Sequence, residues 1–228
     1  VSTVAEHEPA CQVGPSLLAA DPLALATEMA SVESADFLHV DIFDDGFVQG
    51  ATWGEHTLLA IADRSAIPVE VHLMVSDPLR WGTVAASAKC ERVIIHVEAA
   101  ENAQNLIDII ERISELGISV GVAISPQTDP AVLGVIGPLV EQVLVMTVEP
   151  GDGGKPMLNS APDRVKATRQ ILDSAHADAW IGVDGGVNLQ TIPMLSRAGA
   201  RRFVVGSGLF HAKDRSERIL QLRRATEV

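Results

Sequence analysis

One pattern limits what this chain can become. Short runs of β-branched and apolar residues return along its length, each followed by a longer stretch with helical punctuation. The runs are Gln12 to Leu17, Phe37 to Ile42, Val69 to Met74, Arg92 to His96, Ser119 to Ile124, Gln142 to Val148, Trp180 to Val183 and Arg202 to Val205. Helices are predicted between them from about Pro22 to Ser34, near Glu55 to Arg64, after Asp77-Pro78, from Ala103 to Leu116, from about Pro130 and from Asp163 to Ala175. Asp77 can cap a helix that has Pro78 at its first position, and Gly117 can stop one. Runs such as VIIHV and QVLVMTV are apolar almost without alternation, as strands are when helices cover a parallel sheet. Eight strand–helix units of roughly 25 to 30 residues predict an α/β fold, a closed (β/α)8 TIM barrel. An open doubly wound sheet is the alternative, but GPSLLAAD after the first run lacks the dinucleotide fingerprint such a sheet carries there.

The 228 residues suffice for one substantial core. No linker or low-complexity stretch divides them, so residues 1–228 are expected to form a single barrel domain, with residues 1–11 as a flexible N-terminal extension. Apolar residues make up 47% and charged residues 21%, the mix of a globular protein. A formal charge of -13 without any Lys or Arg cluster, and 4% aromatic residues with no Tyr, argue against nucleic-acid binding. A small anion remains compatible, because a few backbone amides can hold it locally. Cys11 and Cys90 give no disulfide framework, the start of the chain is acidic rather than signal-like, and no apolar run has membrane-spanning length. A cytoplasmic protein without membrane contact is expected.

HVDIFDDG is the most informative segment. With a side-chain period of two, His39 and Asp41 point to the same side at the C-terminal end of the second strand, where barrel enzymes gather their chemistry. By itself the pair reads equally well as a buried hydrogen-bonded couple. His72 in VHLM and Asp184 in VDGG sit at or just past their own strand ends, so four polar groups converge on the mouth. Unpaired above an apolar core they would be costly, whereas zinc, iron(II), manganese or cobalt would satisfy them together.

Glycine-rich loops follow the last three strands: Gly151-Asp152-Gly153-Gly154, Gly185-Gly186 and Gly206-Ser207-Gly208. Glycine permits turns that aim successive amides at an anion, and barrels often bind phosphate after strands seven and eight. Met74 and Met146 end strands three and six, either as plain core or as a soft wall around a substrate. His96 reads as a satisfied core or mouth histidine. His7, His56, His176 and His211 read as surface or loop residues.

These segments resemble the ribulose-phosphate 3-epimerases and related ketose-phosphate 3-epimerases. The resemblance runs from Gly14 to Phe210 through PSLLAAD, HVDIFDDGFV, VHLMVSDP, MTVEPGDGGK, VDGGVN and VVGSGLF. It implies one divalent metal per chain, zinc foremost, on His39, Asp41, His72 and Asp184, with Asp41 and Asp184 also serving as acid and base. It implies substrate contacts from Ser16, His72, Met74 and Met146, and phosphate contacts from Gly153, Gly154, Gly185, Gly186, Gly206 and Ser207. The implied reaction inverts C3 of a phosphorylated ketose through a cis-enediolate, in a homo-oligomer. An aldolase or decarboxylase acting on a related sugar phosphate, or a weakened sugar-phosphate-binding protein, is the alternative.

The sequence also departs from the family pattern. After the second strand the usual MDGHFVPN is FDDGFVQG, and in the sixth loop GFGGQ has become GDGGK. Phe43, Asp45-Gly46, Gln49-Gly50, Asp152 and Lys155 therefore predict a ketose phosphate other than D-ribulose 5-phosphate as the preferred substrate.

Overall fold

Each apolar run is a strand in the computed structural model, which describes residues 11–227. The strands are β1 (Gln12–Pro15), β2 (Leu38–Phe43), β3 (Val69–Met74), β4 (Arg92–His96), β5 (Ser119–Ile124), β6 (Gln142–Met146), β7 (Trp180–Asp184) and β8 (Arg202–Val205). All pairings are parallel, in the order β1-β8-β7-β6-β5-β4-β3-β2. A further parallel bridge between Ser16 and His39 joins β1 to β2 and completes the ring. Neighbours in space are thus neighbours in sequence all the way round. A doubly wound sheet would reverse its order at a switch point, so the (β/α)8 barrel is the fold. Apart from Cys11, the expected N-terminal extension lies outside the described residues, as does His7.

Alternation along the strands builds two apolar layers. Phe37, Ile94, Ala123, Leu144, Met146 and Val204 pack inside the barrel. Val40, Val71, Val93, Val122, Val143, Val183 and Phe203 face outward into the larger layer beneath the helices. Burying a side chain of this size stabilises by about 1.5–3 kcal/mol, which fixes the register and with it the inward direction of the residues between. Along β2 and β3 those inward residues pair as His39 with Glu70, Asp41 with His72 and Phe43 with Met74. Between β6 and β7, Met146 pairs with Asp184.

Several element ends differ from the sequence expectation. The first helix is confined to Leu25–Ala30. Asp21 caps the amide of Leu23, and the Ser31 hydroxyl bonds back to the Glu28 carbonyl, so both ends of the expected Pro22–Ser34 segment become turns. The strand expected to reach Val148 stops at Met146, because the Thr147 amide and hydroxyl both turn onto the Asp184 carbonyl. Asp77 accepts from the Arg80 amide at 3.0 Å, as its capping position predicts. No described helix is long and apolar enough to cross a membrane.

Candidate metal centre and active site

His39, Asp41, His72 and Asp184 meet at the C-terminal mouth of the barrel, with one ligand atom from each lying within 4.8 Å of every other. His39 Nε2 stands 3.3 Å from Asp41 Oδ1 and 3.9 Å from Asp184 Oδ2. His72 Nδ1 stands 3.0 Å from the same Asp41 oxygen and 3.9 Å from the same Asp184 oxygen. Both imidazoles and Asp41 are buried, whereas the Asp184 side chain keeps 18% exposure.

The donor set fits a divalent cation. His39 Nε2 is buried without a hydrogen-bond partner among the described residues. Tetrahedral coordination at about 2.0–2.2 Å spaces ligands by about 3.3–3.6 Å, the middle of the separations found here. Two imidazoles with two carboxylates suit zinc, iron(II), manganese or cobalt.

Each ligand is held from behind. Ser16 Oγ donates to Asp41 Oδ2 at 2.7 Å, leaving Oδ1 to face the imidazoles. His39 Nδ1 meets Glu70 Oε1 at 3.0 Å, and Arg202 donates to Glu70 Oε2 at 2.9 Å. His72 Nε2 meets His96 Nε2 at 2.9 Å, and His96 Nδ1 meets Glu98 Oε2 at 2.9 Å. Sequence reading missed Glu70 and Glu98 and gave His96 no partner. The inward position of Glu70, two residues before His72, and the His-x-Glu spacing of His96 and Glu98 were the available signals.

The electrostatics divide the two carboxylates. Burial would raise the pKa of Asp41, but His39 and His72 outweigh it and hold the group well below the usual carboxylate range. Asp184 goes the other way, pushed up by burial and by the facing charge of Asp41. For His39, burial is outweighed by Asp41 and Glu70, which raise its pKa well above the ordinary value, so a proton and a cation compete for Nε2. Burial lowers His72 and brings His96 down to about 4.

A cavity of about 920 Å³ opens above the cluster. Ser16, Asp41, Asp184, Met74 and Met146 line its floor, together with Phe43. Gly153, Gly154, Gly185, Gly186, Gly206 and Ser207 also line it, so the glycine loops and the acidic cluster share one chamber. Lys155 and Asp152 line it too, as an ion pair at 2.6 Å. His211, read from sequence as a surface residue, is exposed and stands at the cavity rim. His56 and His176 are exposed. Cys90 is buried, with burial pushing its thiol up to about 11, and neither cysteine lines the cavity.

Fold and site together define a (β/α)8-barrel enzyme with a metal-competent His/His/Asp/Asp centre under a single cavity. Residues 12–210 match the family model described as the ribulose-phosphate 3 epimerase family. The ribulose-phosphate 3-epimerase of Mycobacterium tuberculosis is 36% identical over 215 residues, covering 93% of this chain and 91% of that protein. That of Bacillus subtilis is 34% identical, covering 93% and 98%. The chain belongs to the ribulose-phosphate 3-epimerase family and is an isomerase of the epimerase type. Among solved structures, 3-hexulose-6-phosphate synthase from Salmonella typhimurium superposes with a TM-score of 0.72 at 18% identity, covering 95% of this chain and 98% of that one. Orotidine 5'-phosphate decarboxylase from Pyrococcus horikoshii gives 0.67 at 13%, covering 95% and 99%. At those identities the likeness is one of fold.

Proposed function

We propose that this protein inverts C3 of a phosphorylated ketose, using one divalent cation, zinc foremost, on His39, Asp41, His72 and Asp184. The observation that carries the reading is the placement of two carboxylates, on β2 and on β7 three strands away round the ring, at one metal-competent cluster under one cavity. A bound cation would supply Lewis-acid stabilisation for negative charge developing on substrate oxygen.

Asp41, oriented by the Ser16 hydroxyl, takes the proton from C3 as the base, and the substrate becomes a cis-enediolate. Asp184, as the acid, returns a proton to the opposite face. Their placement on strands three apart round the ring, facing one cavity, supports this division of labour. The pair finishes with its proton states exchanged, and the partial exposure of Asp184 lets it equilibrate with solvent. Ser16 keeps Asp41 oriented through its hydrogen bond and contacts the sugar, while His72, fully buried and outside the cavity lining, serves only as a metal ligand. Met74 and Met146 exclude water beside the reacting carbons. Amides of Gly153, Gly154, Gly185, Gly186, Gly206 and Ser207 hold the phosphate, whose binding energy positions C3. The same reading takes residues 1–228 as one barrel domain that works in the cytoplasm as a homo-oligomer, in keeping with the family and with two free thiols.

The test is incubation of ketose phosphates in deuterated water followed by NMR. Deuterium is expected at C3 with every carbon–carbon bond intact; cleavage would instead favour an aldolase or decarboxylase. Asp184→Asn should lower kcat by about 100-fold or more, with metal content measured in the same sample. Turnover near the parent rate with metal still bound would remove Asp184 from the proton transfer.

A further inference from the structure

His96 and Glu98 touch neither the cavity nor the proposed ligand atoms, yet His96 is fully buried against His72. We propose that Glu98, acting through His96, is a positioning device that fixes the tautomer of His72 and presents its Nδ1 lone pair to the cation; this rests on the proposal that His72 is a metal ligand.

The argument is one of donors and acceptors. Two imidazole nitrogens 2.9 Å apart, His72 Nε2 and His96 Nε2, require one proton between them. Suppose His72 carried its proton on Nδ1. Its Nε2 would then accept, His96 would donate from Nε2, and the bare Nδ1 of His96 would face the Glu98 carboxylate at 2.9 Å, acceptor against acceptor. In the other direction the chain from Glu98 to His72 is satisfied, and the one unmatched pair moves to the cluster, where a cation can stand. Glu98 accepts from His96 Nδ1–H, His96 Nε2 accepts from His72 Nε2–H, and the lone pair of His72 Nδ1 is turned toward the cluster. That places it 3.0 Å from an oxygen of Asp41, a juxtaposition that a cation between the two relieves.

The anchor of this chain is itself fixed. The second oxygen of Glu98 accepts from the Ser125 amide at 2.8 Å and from the Thr128 hydroxyl. Arg164 clamps the carbonyls of Ser125 and Thr128 at 2.8 and 2.9 Å. The His72 and His96 rings stack, with centroids 5.0 Å apart and planes 24° from parallel, and the Phe47 ring covers His96 at 4.8 Å. His39 ends on a carboxylate directly, through Glu70. The two imidazoles are therefore oriented by the same chemistry, one at one remove and the other at two. Partners of this kind fix ring orientation and raise ligand basicity.

The experiment measures Zn²⁺ and Co²⁺ affinity on chelator-treated protein, by competition with a chromophoric chelator, together with the visible spectrum of the Co²⁺ form. His96→Leu fills the same space without an acceptor and should weaken both metals by about 10- to 100-fold. His96→Gln places an amide oxygen near the lost Nε2 and should recover most of that affinity and the parent spectrum. Glu98→Ala, at a partly exposed position, should weaken binding as well, and it tests the same chain should His96→Leu not fold. If the parent binds either metal while His96→Leu and Glu98→Ala both stay within about twofold of it, the positioning role is overturned and the metal reading stands. Equal loss in His96→Leu and His96→Gln would reduce His96 to packing and also overturn it. A parent that binds neither metal would take down both readings.

Discussion

Gly154 and Gly186 both line the cavity and share left-handed backbone, at φ +83° and +63°, but their surroundings differ. A Cβ on Gly154 would meet nothing within 4 Å, whereas one on Gly186 would collide with the Met157 amide nitrogen and stand 2.9 Å from its Cα. Gly154→Ala should therefore cost only the conformational penalty, about 1–2 kcal/mol. Gly186→Ala must also push the loop after β6 away from the loop after β7, adding about 1–3 kcal/mol and raising KM for the ketose phosphate about tenfold. Urea denaturation and steady-state kinetics on both variants check this; equal effects would show that the loops are not held together at Gly186. The cluster itself was legible because it obeys a one-strand rule, inward residues near strand ends. What lay beyond it was not, since His96 needs His72 from the neighbouring strand, and no spacing within one segment reveals a cross-strand partner.

The segment after β2 illustrates what an element adds to its residues. The Asp44 carboxylate binds the Gly46 amide at 3.0 Å and the Ser76 hydroxyl at 3.1 Å, tying the loop to the end of β3. Asp45 accepts from the Gly50 amide at 2.6 Å, so the bend has a side-chain clasp. Val48 abuts Gly151, bringing this loop against the one after β6. Sequence reading located the loop, but the clasp and the contact with Gly151 depend on φ +104° at Gly50 and on tertiary packing. Phe43, paired with Met74 across β2 and β3, puts a rigid ring into the cavity floor. We expect the reshaped floor and the Asp152–Lys155 pair to favour a ketose phosphate other than D-ribulose 5-phosphate, since hydroxyls recognised by hydrogen bonds are discriminated by orders of magnitude. Kinetics across pentulose and hexulose phosphates decide the matter. A kcat/KM for D-ribulose 5-phosphate above about 10^5 M⁻¹s⁻¹, and higher than for every other ketose, would defeat the expectation.

At the scale of the whole barrel, charge runs through the interior from the mouth toward the opposite end. Glu70, Arg92, Gln142 and Arg202 are buried on inward positions, and Arg202 bridges Glu70 while lying 3.9 Å over the Phe37 ring. Arg92, Gln142 and Arg202 open their predicted strands and Glu70 is the second residue of its own, and the sequence reading gave none of them a role. Glu70, Arg92 and Arg202 offset the cost of an apolar interior through partners on other strands, whereas both polar atoms of the Gln142 side chain are buried without a hydrogen-bond partner among the described residues. Glu70 in this interior and Glu98 at its margin help, beside Asp41, to set the protein's acid limit. Burial would raise Glu70 and Glu98, but His39, Arg202 and Arg92 around the first, and His96, Thr128 and Ser125 around the second, hold both at about 2. An unfolded glutamate titrates near about 4.3, so the folded state prefers each group ionised. That preference is fully present above about pH 5 and is lost as pH falls through about 4 toward 2. Measured in chelator so that metal release does not contribute, the share of the unfolding free energy that these two acids supply should decline steeply below about pH 5, separately from the slopes that His39, His72, His96 and Asp184 impose above it. Glu98→Gln should be less stable than the parent by about 1–2 kcal/mol at neutral pH, after allowance for the partial exposure of Glu98. The difference should shrink to a small remainder near about pH 2, where about half of the parent's Glu98 is neutral. A gap that stayed constant from pH 7 to 2 would mean that Glu98 stabilises the barrel through shape rather than charge.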